Sequence, residues 1–166
     1  MYEKSNESNV YPPSPRLPDA VAVVKGGAEN RAISGSVELY QAKGGVLVMA
    51  EISGLPSGKG PFQSNIFAFH IHGGGECTGG GDDPFSNAGT HYDPHHRKHP
   101  YHAGDMPPLF GAGGKAFLAF LTDRFTIGEI IGKTVVIHDS PDDFTTQPAG
   151  NAGKKIACGV IGAVKR

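Results

Sequence analysis

Short segments of β-branched and other apolar residues recur along the chain, and in several of them apolar and polar positions alternate. Alternation with a period of two predicts a strand with one buried face. No segment keeps a helical period over a useful length, although Phe125–Ile131 is suited to a single turn. The predicted strands are Ala20–Lys25, Ala32–Tyr40, Gly45–Ile52, Ile66–His72, Lys115–Leu121, Thr134–His138 and Ile156–Val164.

These strands predict one all-β domain at residues 20–166, either a sandwich or a barrel. The second and third predicted strands flank a Gly-rich turn and should form a hairpin. Two long stretches, 73–114 and 139–155, lack strand character. Loops of this length in a compact domain usually carry function or are disordered, so their content decides between the two.

Residues 1–19 are polar and rich in proline, and they predict a flexible tail. They contain no apolar segment of the kind found in a signal peptide, so a cytoplasmic protein is expected; an extracytoplasmic one is the alternative if a leader has been trimmed. No apolar run approaches the roughly 20 residues of a membrane span. The formal net charge of −1 creates no strong field for nucleic acid or an anionic membrane, so neither is expected as a partner.

The chain has two cysteines, Cys77 and Cys158. Two thiols are too few for a cysteine-rich zinc site. They could close one disulfide around a long loop, or they could remain buried free thiols, as a reducing compartment would favour. Composition alone leaves both alternatives open.

All eight histidines lie between His70 and His138. His70 and His72 are two residues apart at the end of a predicted strand, where both side chains point to one face and can bind one metal. Five more histidines and two aspartates occupy residues 91–105, and His138 ends another predicted strand. Imidazole suits copper and zinc, and carboxylate suits zinc. Six histidines and one aspartate could fill two adjacent sites if His91 bridged them, although spacing alone does not prove the bridge.

Several motifs, in the same order, make the chain resemble the copper-zinc superoxide dismutases from about Asp19 to the C-terminus. The strongest match is the segment Asn151–Ile161. The other matching segments are Phe69–His72, Cys77, His91–Pro94, His102–Asp105, Ile131–His138 and Asp142–Asp143. The resemblance implies an eight-stranded Greek-key β-sandwich, or flattened barrel, with the metals outside it under two long loops.

The resemblance also implies a role for individual residues. Cys77 and Cys158 would form a disulfide, and Asp142 would hydrogen-bond histidines from both metal sites and so fix their tautomers. His91 would bridge the two metals. The implied copper ligands are His70, His72, His91 and His138, and the implied zinc ligands are His91, His99, His102 and Asp105.

Two departures from the family's pattern bear directly on these roles. Lys155 stands where the family usually has arginine, so a point charge on a flexible stem replaces a planar fork. The stretch between His99 and His102 is short, so His95 or His96 could take the place of His99 at zinc.

Two loops also depart from the family's pattern. The segment between Cys77 and His91 is longer than in the animal enzymes, and it should remodel a loop that often joins subunits. The loop Phe144–Gly150 is short and lacks the charged residues that steer substrate in the animal enzymes. Family members are mostly homodimers that use different faces of the sandwich, so a homodimer is expected here with its interface left open.

The implied activity is the conversion of superoxide to oxygen and hydrogen peroxide by copper that cycles between two oxidation states beside a structural zinc. Lys155 would attract the anion in a narrow positive channel, and His91 would provide a route for a proton. The alternative is a degenerate relative that binds metals but turns over little superoxide. The only feature that supports this alternative is Lys155 in place of the usual arginine. A copper-delivery protein would expose Cys or Met, and a zinc-stabilised binding sandwich would not need His138 or the His70–His72 pair.

Overall fold

A computed structural model describes residues 16–57 and 65–165. The regular structure of these residues consists of nine strands, one single-turn helix and a 3-10 turn at Ser86–Ala88. The strands are β1 (Ala20–Gly26), β2 (Ser34–Ala42), β3 (Gly45–Ser53), β4 (Ile66–Phe67), β5 (Phe69–His72), β6 (Leu109–Phe110), β7 (Lys115–Thr122), β8 (Thr134–His138) and β9 (Lys155–Ala163). The helix α1 covers Ile127–Ile130, inside the segment expected to form a single turn. In this part of the chain, no helix has the length and apolar character needed to cross a membrane.

The prediction of an all-β fold is confirmed. Seven antiparallel strands form one sheet in the order β5-β8-β9-β1-β2-β3-β7, and β4 pairs with β6 in a separate short ladder. Side chains alternate across the sheet: Ala22 and Val24 of β1 are buried, whereas Val23 between them is exposed. One continuous apolar core includes residues from β1, β2, β3, β5, β7, β8 and β9. The described residues contain nine strands against the eight expected, and two of the nine have only two residues.

The prediction of one strand over Ile66–His72 is wrong, because the chain changes partner at Ala68. β4 pairs with β6, whereas β5 pairs with β8. Between them, the Ala68 N–H donates to Ser140 O at 2.8 Å, and the Ala68 carbonyl accepts from the His138 N–H at 2.9 Å. The whole run is apolar apart from its histidines, so its pattern cannot show where one partner ends and the next begins.

The second strand begins at Ser34 rather than at Ala32 because a tight turn precedes it. The Gly26 N–H donates to Ile33 O, and the Ile33 N–H donates to Asn30 O, each at 2.9 Å. These bonds hold the backbone in the turn up to Ile33, so the ladder with β1 starts one residue later.

The expected flexible tail, 1–19, lies mostly outside the described residues, which begin at Arg16. Its last residue, Asp19, directly precedes β1 and forms backbone hydrogen bonds beside the sheet. The Asp19 N–H donates to Leu39 O at 2.8 Å, and the Asp19 carbonyl accepts from the Val164 N–H at 3.0 Å. Asp19 therefore extends the ladder that β1 forms with both of its neighbours.

Cys77 and Cys158 form a disulfide that ties the start of the first long loop to β9. This pairing, which the resemblance implied, is confirmed. The two cysteines pack in a small apolar cluster with Phe85, Ala88 and Val136, apart from the main core. The first long loop is therefore anchored to the sheet three residues from the start of β9.

Reducing this disulfide should lower the free energy of unfolding of the metal-free protein by about 4 kcal/mol, because a cross-link over such a long loop restricts the unfolded chain. The two cysteines are 81 residues apart. Urea denaturation with and without reductant measures the difference. The double substitution Cys77→Ser/Cys158→Ser should unfold at the midpoint of the reduced protein, whether or not reductant is present. Equal midpoints for the oxidised and reduced wild-type protein would contradict the prediction.

Candidate metal centre

Two adjacent strands carry three buried histidines. His70 and His72 lie in β5, and His138 is the last residue of β8, which pairs with β5. A β-bulge between Ile137 and His138 shifts the register against β9, so that His138 lies opposite Lys155. Bulges re-aim the side chains at the end of a strand. All three imidazoles are at most 4% exposed.

The first long loop folds back along the outer edge of β5. The Ile71 N–H donates to Gly104 O at 2.9 Å, and Ile71 O accepts from the Tyr92 N–H at 2.8 Å. Only glycine fits at position 104, because a Cβ there would lie 2.2 Å from Ile71 O. This pairing covers the edge of the sheet and places His91 and Asp105 beside β5.

Seven buried side chains from these elements form two groups that share one member. In each group, every residue offers one nitrogen or carboxylate oxygen, and these atoms all lie within 4.8 Å of one another. The first group is His70, His72, His91 and His138, and the second is His91, His99, His102 and Asp105. These are the two sets that the resemblance implied for two metals.

His91 belongs to both groups, and its two ring nitrogens have different surroundings. Its Nδ1 lies 2.8 Å from Asp105 Oδ1 and 3.3 Å from His102 Nδ1. Its Nε2 is buried and has no hydrogen-bond partner among the described residues. The ring centroid lies 4.0 Å from that of His70 and 5.0 Å from that of His72. One imidazole can therefore present a nitrogen to each group.

In each group, one pair of donor atoms has the spacing that a four-coordinate ion requires. His72 Nε2 and His138 Nε2 are 3.2 Å apart, and His102 Nδ1 is 3.2 Å from Asp105 Oδ2. Bonds of about 2.0–2.1 Å to a tetrahedral ion place neighbouring ligand atoms about 3.3 Å apart. Two unprotonated ring nitrogens at this distance repel each other unless a cation lies between them. The residues present therefore fit one ion in each group.

Buried ring nitrogens without partners support the same conclusion. Within the described part of the chain, His70 Nδ1, His91 Nε2 and His99 Nδ1 form no hydrogen bond, although His99 Nδ1 lies 3.2 Å from the carboxylate of Asp105. A buried polar atom left unpaired is costly, and native proteins rarely retain one. A metal bound to these nitrogens would satisfy all three.

Burial keeps the strand histidines neutral, which leaves their nitrogens free to bind metal. Loss of solvent lowers the pKa of His72 to about 2 and that of His138 to about 3, and nearby imidazoles act in the same direction. Burial also lowers the pKa of His70, against the effect of its carboxylate partner. For Asp105, burial acts to raise the pKa, but the hydrogen bond with His91 and the surrounding imidazoles lower it to about 2. The second group therefore combines an ionised carboxylate with imidazoles.

Asp142 hydrogen-bonds one histidine of each group, as the resemblance implied. Its Oδ2 lies 2.7 Å from His70 Nε2, and its Oδ1 lies 2.8 Å from His99 Nε2. If both Nε2 atoms carry the proton and donate it, both Nδ1 atoms are left for metal. Gly150 packs against this contact: a Cβ there would lie 2.0 Å from Asp142 Oδ1, and the φ of +66° also favours glycine.

His99, rather than His95 or His96, lies in the second group. His99 is 3% exposed, whereas His95 and His96 are exposed side chains. Gln147 of the second long loop fixes the backbone of His99, because its Oε1 accepts from the His99 N–H at 3.0 Å and its Nε2 donates to His99 O at 2.7 Å. The short stretch between His99 and His102 therefore does not remove His99 from the group.

Some residues at the site carry no signal in the sequence. The Arg124 guanidinium donates to three backbone carbonyls of the first long loop, those of Pro100 at 2.9 Å, His102 at 3.3 Å and Asp105 at 3.4 Å. Sequence patterns also missed Asp83, Gln147 and Gly150. Like Arg124, each of these residues contacts a residue distant in sequence, so no local motif could identify it.

A pocket of about 550 Å³ opens onto the first group, with His72, His91 and His138 in its wall. Its charged lining residues are Asp82, Asp83, Asp93, Lys154 and Lys155. Three aspartates and two lysines do not provide the positive channel that was expected. The Lys155 Nζ, moreover, lies 2.5 Å from Asp83 Oδ2, in the segment between Cys77 and His91.

Comparison with known proteins gives consistent matches. The family model described as copper/zinc superoxide dismutase matches residues 33–161. Cu-Zn superoxide dismutase 2 of Aquifex aeolicus (strain VF5) is 35% identical over 144 residues, which cover 78% of this chain and 79% of that protein. The Cu-Zn superoxide dismutase of Deinococcus radiodurans is 33% identical over 150 residues, with 80% and 79% covered. That of Photobacterium leiognathi is 36% identical over 141 residues, with 76% and 78% covered.

Proposed function

Because the chain belongs to the copper/zinc superoxide dismutase family, we propose that its two groups of buried side chains hold one copper and one zinc and that superoxide is dismutated at the copper. The observation that carries the proposal is the sharing of His91 between two buried groups whose donor atoms are spaced for metal. A single metal site would not need an imidazole with both nitrogens so placed.

The chemistry of the donor atoms assigns a metal to each group. The first group offers four imidazoles, which suit copper, and the second adds the carboxylate of Asp105, which suits zinc. Bound copper supplies one-electron exchange with superoxide in each half of the reaction, whereas zinc supplies no redox chemistry. Altogether, two superoxide anions and two protons give one oxygen molecule and one hydrogen peroxide molecule.

The chain's own residues bind the anion, orient the ligands and hold a proton. Lys155 is the cation beside His138 across the β8–β9 ladder, and it would attract and orient a small anion in the pocket. His91 Nε2 is the atom at which the chain can hold a proton for the product, since Nδ1 lies against the second group. Asp142 keeps one histidine of each group in a single tautomer and orientation.

The first experiment measures superoxide decay by fast kinetics on protein loaded with copper and zinc, with both metals counted in the same sample. One copper and one zinc per chain, with decay near the diffusion limit of about 10⁹ M⁻¹s⁻¹, are expected. Full loading with both metals but slow superoxide decay would overturn the proposed activity and favour the degenerate relative instead. Failure to hold copper would overturn the assignment of the ligands.

Lys155→Ala should lower the rate of superoxide decay about threefold or more at low ionic strength and flatten its dependence on salt. The reason is that a nearby positive charge raises the on-rate of an anion, and salt screens the attraction. Rates are compared across ionic strengths at full metal loading. Lys154→Ala is the matched control, because Lys154 lines the same pocket but is exposed; its effect should be smaller. An unchanged rate in Lys155→Ala would remove Lys155 from the mechanism.

Assembly and compartment are further proposals. A homodimer is proposed from the family, and light scattering on the metal-loaded protein tests it by mass. The cytoplasm is proposed as the compartment, and an extracytoplasmic compartment, which the Cys77–Cys158 disulfide supports, is the alternative. Cell fractionation followed by an activity assay separates the two compartments.

A further inference from the structure

We propose that Asp83 is a positioning residue that holds the Lys155 ammonium in place at the pocket. This inference rests on the proposed function, because it concerns the cation that would receive the superoxide anion. The contact joins Lys155 Nζ to Asp83 Oδ2 at 2.5 Å, and the two residues are 72 positions apart. The side chain of Lys155 is only 15% exposed, so water offers its ammonium group few alternative hydrogen-bond partners.

Asp83 is itself held by the loop that carries it. Its Oδ1 accepts a hydrogen bond from the Phe85 N–H at 3.0 Å, and the Phe85 ring packs in the apolar cluster around the Cys77–Cys158 disulfide. The two oxygens of the carboxylate therefore have separate partners. One fixes Asp83 to an anchored loop, and the other fixes the end of the Lys155 side chain.

The chemistry of lysine makes an orienting partner useful. Lys155 carries its charge on a flexible stem, whereas the rigid fork of an arginine loses less freedom for each hydrogen bond it forms. Asp83 lies in the first long loop, between Cys77 and His91. The aspartate supplies to the flexible lysine an orientation that an arginine fork would provide for itself.

The charge of Asp83 acts against its positioning effect, and the two effects can be separated by salt. A negative charge at the mouth of the pocket slows the approach of an anion, by about twofold at a distance near 8 Å in dilute buffer. This effect disappears as ionic strength rises and the Debye length falls below that distance. Loss of a fixed geometry for Lys155 is not screened in this way, so it should dominate at high salt.

Asp83→Asn separates the role of Oδ1, which accepts from the Phe85 N–H, from that of Oδ2, which contacts the Lys155 ammonium. The size of the side chain does not change. Asparagine has one acceptor oxygen and two N–H donors. It can keep the hydrogen bond from the Phe85 N–H, but it then turns donors toward the Lys155 ammonium. Asp82→Asn is the matched control, because Asp82 lines the same pocket and, in the described part of the chain, forms no ion pair with Lys155.

The direct test is nuclear magnetic resonance of the lysine ammonium groups in the zinc-loaded protein, which needs no turnover. We expect a slowly exchanging, motionally restricted Lys155 signal, assigned by its absence from Lys155→Ala. The signal should vanish in Asp83→Asn and persist in Asp82→Asn. A mobile Lys155 in the wild-type protein, or a restricted one in Asp83→Asn, would overturn the proposal.

The kinetic test uses the copper- and zinc-loaded variants at ionic strengths up to about 1 M, where the Debye length is about 3 Å. Asp83→Asn should slow superoxide decay about threefold, the scale of a partly exposed ion pair, whereas Asp82→Asn should not slow it. In the Lys155→Ala background the two asparagine variants should behave alike, since there is no ammonium left to position. Equal rates for the two variants in the wild-type background would mean that Asp83 acts only as a charge, and would overturn the proposal.

The two tests separate this inference from the proposed function. If the wild-type protein restricts Lys155 but the metal-loaded enzyme does not consume superoxide, the function fails and the contact stands. If the enzyme is active while Lys155 is mobile, the function stands and the role of Asp83 fails.

Discussion

His91→Ala should cost the protein both of its metals. His91 belongs to both buried groups, so under the proposed assignment one substitution removes a ligand from each. Loss of a residue that only hydrogen-bonds a ligand typically lowers metal affinity by about 10–100-fold; loss of a ligand itself should cost more than about a hundredfold at each site. Superoxide decay should fall by at least the same factor at limiting metal.

The measurement for His91→Ala is competition with chelators of known affinity, followed by elemental counting of copper and zinc. His95→Ala is the matched control, because it removes an exposed imidazole from the same loop; it should retain both metals. Full retention of zinc by His91→Ala would contradict the bridge and leave His91 as a ligand of copper alone.

Asp142→Asn should weaken both metals together, by about 10–100-fold each. Asp142 accepts from His70 through one oxygen and from His99 through the other, and asparagine has a single acceptor. At least one of the two imidazoles would lose its orientation and its preferred tautomer. Because the loss is shared between a histidine of each group, we expect the affinities for copper and zinc to fall in the same variant.

The same chelator competition tests Asp142→Asn against Asp143→Asn. Asp143 is the next residue in the chain, and its carboxylate binds Thr145 and Thr146 rather than a histidine. Asp143→Asn should therefore leave both affinities within about twofold, as expected for an exposed side chain. Unchanged affinities in Asp142→Asn would show that packing alone orients the two imidazoles.

The local pattern of apolar and polar residues was sufficient to predict most of the strands, because a strand is a short segment whose side chains alternate with a period of two. β1, β3, β7 and β8 begin where their apolar segments begin, and β8 ends at His138 as predicted. The single-turn helix also lies inside its predicted segment. The failure at Ala68 is of a different kind, because exchanging one partner strand for another leaves the burial of the run unchanged.

The sequence by itself determined the strands, the clustering of histidines between residues 70 and 138, and the family that these motifs resemble. Tertiary structure alone decided which of His95, His96 and His99 joins Asp105, where the two ring nitrogens of His91 lie, and what holds Lys155. Those outcomes depend on contacts between segments far apart in the chain: the loop against β5, Gln147 against His99, and Asp83 against Lys155. Propensity and periodicity describe neighbours along the chain, whereas these contacts form only when the sheet and the disulfide bring two loops together.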